Sequence, residues 1–191
     1  MNCCVACLTM NATVNAIEQI SRTWALTQES LSIVRQEVRK QYQTTDILSR
    51  VLARTSFEEG GWSDAEADIA TCKQASEDFA IMAMWAVFER QLIGRLEDEC
   101  KKMQGNQPSD FNQLVFKQLA ISIERWQIDK ALDLIKPIVG RDLAGQAKNI
   151  KKYRDWIAHR NPRKATPARI DPNTARELLK LISMALDEFG Q

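Results

Sequence analysis

Histidine is almost missing from this chain: its 191 residues include one, at position 159. That scarcity excludes zinc sites built on paired histidines, HExxH among them. Other short catalytic signatures are also missing, with no GxSxG elbow, no GxxxxGK[ST] phosphate loop and no GxGxxG turn. No apolar run approaches the roughly 20 residues that cross a bilayer, so no membrane partner is expected. The opening MNCCVACLTM lacks a basic flank and a small-residue cleavage site, which reads against a signal peptide and makes the cytoplasm the expected location. Five cysteines, three of them at positions 3, 4 and 7, are an odd set with no spaced second pair. Free thiols are expected rather than disulfides. Cys4 and Cys7 form a lone CxxC that Cys72, Cys100 and one histidine do not complete as a zinc site, so neither metal nor cofactor is expected.

What is present is ordinary for a folded protein: 45% apolar and 27% charged residues, a balance that argues against disorder. The length suits one domain over 1–191, with residues 1–60 as an N-terminal helical extension and 63–190 as the core. Apolar positions recur at helical spacing nearly throughout, and no stretch alternates as a strand does. The expected fold is an all-α bundle with a long central helix, paired as a C2 homodimer.

Thr13 to about Gln41 reads as an interrupted helical region, and Thr44 or Thr45 caps a shorter helix to Arg54. Ser63 with Glu66 has the capping-box spacing and opens a helix to about Met103. Its middle, FAIMAMWAVFERQLIGRL, is apolar almost all round, so it must be covered on several sides or face a partner chain. Asp110 can cap a helix carrying Phe111, Leu114, Val115, Leu119 and Ile123. A further piece from about Asp129 ends at Pro137 and Gly140. The next helix runs from Arg141 to His159, and Asp171-Pro172 sets up the cap and first turn of a last one.

Net charge is +1 overall, but residues 148–169 carry +7 while the remainder carries −6. A basic island on an acidic chain points to a polyanion partner, with RNA as the candidate. Within it, the expected inward stripe is Leu143, Ala147, Ile150, Arg154 and Ile157. An arginine on that stripe keeps its charge, so its head requires a carboxylate, solvent or a ligand anion. Glu89 is the candidate carboxylate. His159 lies about 140° further round the helix. Pro162 is expected to fray the end and let the imidazole swing, with Asp155 in reach of the ring.

An arginine beside a histidine suits cleavage of RNA by the RNA's own 2′-hydroxyl. That reaction needs a base, an acid and a cation for the phosphoryl oxygens, and no metal. One histidine cannot easily serve as both base and acid in one turnover; two copies across a two-fold axis can. Lys151, Lys152, Arg160, Arg163 and Lys164 would track the phosphates. Tyr153 and Trp156 read first as packing groups and second as platforms for unpaired bases.

YRDWIAHRNP, late in an α-helical chain, resembles the HEPN superfamily, which includes many metal-independent endoribonucleases. Arg154, Asp155 and His159 match its motif, and WAVFERQL looks like its central helix, so the likeness covers about residues 63–190. It implies a bundle that dimerises with two arginine-histidine pairs in a shared cleft. Implied partners are RNA, a second copy, and an antitoxin or phage-defence component. Asn161 stands where some family toxins carry a modifiable tyrosine, which argues against that form of control. The alternative is a non-catalytic module of the same kind that binds RNA, nucleotide or a partner protein; a helix-turn-helix DNA binder is a third reading.

Overall fold

The computed structural model describes residues 4–43, 55–57, 61–105, 122, 127–160 and 165–188. The helices expected after Thr44 and Asp110, the side chains of Cys3, Cys4 and Cys7, and Arg163 and Lys164 lie outside the described residues. The fold is an all-α bundle, with no strand among the described residues. In chain order the helices are α1 (Cys4–Gln43), α2 (Trp62–Gly105), α3 (Ile128–Val139), α4 (Arg141–His159) and α5 (Pro172–Glu188).

The interruption expected in α1 is not there. Its hydroxyl-rich middle stays helical because Thr23, Thr27, Ser30 and Ser32 each donate to the carbonyl four residues back, at 2.8–2.9 Å. Hydroxyls that could compete with the helix are satisfied by it. The start of α2 also departs from expectation. Helix begins at Trp62, the Gly61 carbonyl accepts from the amides of Asp64 and Ala65 at 3.1 Å, and Ser63 lies inside the first turn. Glu66, the other half of the expected capping box, instead pairs with Arg35 of α1. At α5 the expected cap forms: the Asp171 carboxylate accepts from the Thr174 amide at 3.0 Å, with Pro172 as first helical residue.

Central α2 touches the four other described helices. Paired residues show α1 running antiparallel to it, Arg35 meeting Glu66 while Gln28 bonds Ser76 at 2.7 Å. Helix α4 is also antiparallel to α2, with Arg154 at Glu89 and Arg160 at Asp78. The core between them is Trp85, Phe88 and Leu92 of α2, Leu132 of α3, Ile150 of α4 and Leu179 and Ile182 of α5. Ile17 of α1 is fully buried in the same cluster, so α1 contributes to that core. A smaller cluster of Val38 and Ala65, backed by Val34, Phe57 and Trp62, closes the far end of α1 and α2. The apolar wrap of α2 is not complete: Phe79 is 68% exposed, and Ala83 and Ala86 continue that open strip.

One buried acid lacks a direct contact among the described residues. Asp187 of α5 is 5% exposed, and no hydrogen bond or ion pair reaches it among the described residues. Burial pushes its carboxyl above the usual carboxylate range, while the charge of Arg95 pulls the other way. A carboxyl raised by folding disfavours the fold only once it ionises, so its cost is absent below the unfolded value of about 3.9 and grows above it. Asp187→Asn should therefore raise the melting temperature at pH 7 and leave it unchanged near pH 3. A thermal melt at both pH values checks this, and an equal shift at both would refute it.

Candidate functional site

A single residue joins α3 to α4. Gly140 has φ 89°, a conformation that costs other residues but not glycine, and its N–H donates to the Lys136 carbonyl at 3.0 Å. Helix α4 then buries Ala144, Ala147, Ile150, Tyr153 and Ile157. The expected stripe was wrong at two places: Leu143 is only partly buried, and Tyr153, not Arg154, takes the inward position. The reason is a buried acceptor. Asp78 of α2, its side chain 4% exposed, lies opposite Tyr153.

Asp78 accepts from the Tyr153 hydroxyl at 3.0 Å, the Gln74 amide at 2.9 Å and the Arg160 guanidinium at 2.9 Å. Three donors replace the water that burial removed. Burial pushes the Tyr153 phenol up to about 12, and the hydrogen bond to Asp78 adds to the rise. Arg160 closes α4 in the left-handed region, φ 37° and ψ 45°, its N–H donating to the Trp156 carbonyl at 2.6 Å. Such a conformation is unfavourable for a residue with a Cβ and persists when neighbours hold it. The end of α4 is accordingly pinned by Asp78 instead of fraying as expected.

Arg154 lies at the edge of the buried face, its side chain 26% exposed. Its Nη2 donates to Glu89 Oε2 at 2.6 Å and its Nη1 reaches Asp155 Oδ1 at 2.9 Å. The guanidinium carbon stands 5.8 Å from the centre of the Trp85 ring, a favourable place for a cation. Trp85 Nε1 donates to the same Glu89 oxygen at 2.9 Å. The guanidinium is thus fixed by two carboxylates and a buried indole while an edge stays open to solvent.

His159, the last residue of α4, is exposed and has no hydrogen bond or ion pair among the described residues. Asp155, expected to orient it, is engaged by Arg154 and by Lys151 at 3.1 Å. Five residues of helix place the two motif positions about 7.5 Å apart along the axis. Both therefore stand on one rigid element, at its edge and at its end.

The basic island is largely neutralised by the fold. Lys148 meets Asp133 at 2.7 Å, Lys151 meets Asp129 at 2.9 Å, Arg160 meets Asp78 at 2.9 Å, and Arg169 meets Glu77. Lys152 is exposed with no ion pair among the described residues. Tyr153 and Trp156 stack on each other with ring centres 6.1 Å apart, and Trp156 packs partly buried against the core. Among the described residues, no three acid, cysteine or histidine side chains gather as a metal site.

Asp78 is the residue sequence reading missed. Its signal is an acid three residues before Ile81 and seven before Trp85, on the buried stripe of α2; Tyr153 and Arg160, also seven apart, mirror it on α4. The chain matches no family model, no curated protein and no solved structure.

Two measurements check this geometry. The chain has two tyrosines, so ultraviolet titration of the wild type and Tyr153→Phe isolates one phenol, expected near 12. A component near 10 would contradict the buried contact. Because the folded value is raised, stability linked to Tyr153 is present below about pH 10 and is lost as pH rises towards 12. For the second, Glu89→Ala should cost about 1–3 kcal/mol by leaving the guanidinium under-partnered. A cycle with Arg154→Ala should show coupling between the two positions, and additive losses in urea melts would contradict the pair.

Proposed function

We propose that the chain is a metal-independent endoribonuclease that acts as a homodimer on single-stranded or looped RNA. The observation that carries this reading is the pairing, on one helix, of a guanidinium held rigid yet partly open with an exposed histidine that has no hydrogen bond or ion pair among the described residues. Preorganised cations are what phosphoryl charge requires, and an unengaged imidazole is what proton transfer requires.

In the proposed reaction, His159 of one protomer takes the proton from a ribose 2′-hydroxyl, whose oxygen attacks the adjacent phosphorus. Arg154 stabilises the charge gathering on the non-bridging oxygens. His159 of the partner subunit protonates the departing 5′-oxygen, leaving a 2′,3′-cyclic phosphate and a 5′-hydroxyl. Asp155 and Glu89 act on Arg154 in this scheme, a change from the expectation that Asp155 orients the imidazole. The open strip of Phe79, Ala83 and Ala86 on α2 is the proposed dimer contact, because it adjoins the side of α2 that carries Glu89. Lys152 is left as the phosphate contact among the described island residues. The resemblance drawn from Arg154, Asp155 and His159 supports a toxin-antitoxin or phage-defence setting.

One observation favours a second reading, a non-catalytic module that binds RNA or a partner protein. The ion pairs of Lys148, Lys151, Arg160 and Arg169 leave less free positive charge than the sequence promised. The two readings separate at His159, which a binding module does not need.

Incubation with total RNA in EDTA should yield fragments ending in 2′,3′-cyclic phosphate, and light scattering should give the mass of two chains. His159→Ala, at an exposed position, should keep the fold and lose about 100-fold or more of the cleavage. Arg154→Ala should lose activity as well. Equal cutting by all three proteins would remove the assignment.

A further inference from the structure

At the far end of the α1–α2 pair, away from α4, lies a cavity of about 440 Å³ lined by Arg35, Arg39, Tyr42, Gln43, Trp62 and Glu66. That volume falls within the range of small-molecule sites. Its aromatic wall is fixed. Trp62 is packed against Val38 and Ala65, and Tyr42 meets it edge-on with ring centres 6.5 Å apart and planes at 60°. The Tyr42 hydroxyl donates to the Phe57 carbonyl at 2.9 Å, which holds that ring in turn. Rings held in this way lose little entropy when a flat ligand stacks on them.

The polar wall is cationic on balance. Arg35 pairs with Glu66, whereas Arg39 is exposed and has no ion pair among the described residues. Two planar guanidinium groups against one carboxylate suit a doubly accepting anion such as phosphate. Glu66 keeps acceptor capacity beyond Arg35 and can take a hydrogen bond from an exocyclic amine. A flat ring with an amine, joined to a phosphate, answers all of these features together.

We propose that this cavity binds a nucleoside monophosphate, its base against Tyr42 and Trp62 and its phosphate between Arg35 and Arg39. Trp62 and Glu66 precede Asp78 on α2 by 16 and 12 residues, which sets the cavity roughly 20 Å along the axis from the end of α4. It is therefore a separate site from Arg154 and His159. The same chemistry has two sources, a free mononucleotide or one nucleotide of a bound RNA strand.

Calorimetric titration of the full chain with AMP, adenosine and a short single-stranded oligoadenylate tests the proposal. AMP should bind at least tenfold more tightly than adenosine, and Arg39→Gln, at an exposed position, should weaken AMP at least tenfold. Trp62→Phe, which keeps the packing, should weaken it less. If Arg39→Gln also weakens the oligoadenylate, the site belongs to the RNA path; if AMP alone is affected, it serves a free nucleotide. No heat with millimolar AMP, or equal affinity for AMP in wild type and Arg39→Gln, overturns the site. His159→Ala should bind AMP as the wild type does, so loss of cleavage and loss of this site are read independently.

Discussion

A carboxylate taken out of water dictates how the two sides of this bundle meet. Asp78 stands on the buried face of the central helix, where an unpaired charge would cost several kcal/mol. It is tolerated because α4 brings a phenol and a guanidinium to it. That requirement decides which residue of α4 points inward, and so turns Arg154 to the edge. There Glu89 and Trp85 receive it. The pose of the proposed site thus follows from a neighbouring contact that takes no part in the chemistry.

Much of the architecture could be read from spacing alone. The limits of α4 and the Asp171 cap are where capping rules place them, because Gly140 and Pro172 act through their own backbones. Helix α1 and the first turn of α2 were misjudged for the opposite reason. The α1 hydroxyls have two competing local partners and take the carbonyl four residues back, while Glu66 is drawn across to Arg35 of α1.

At the candidate site, periodicity located the face of α4 but not the residue upon it. Tyr153 and Arg154 are 100° apart, and choosing between them needs the position of Asp78, 75 residues earlier in the chain. The charge island shows the same limit. A sequence window sums charges that are near in the chain, whereas Asp129, Asp133, Glu77 and Asp78 reach it across the fold. Glu89 was legible, since an acid in an apolar stretch calls for a cation.

Helix α4 is tied at both extremities, by the one-residue joint at Gly140 and by the clasp of Arg160 on Asp78. A rod fastened at two points can neither slide lengthwise nor spin about itself. Any displacement of α4 must then carry α3 with it as one lever, with the spacing between Arg154 and His159 preserved throughout the swing.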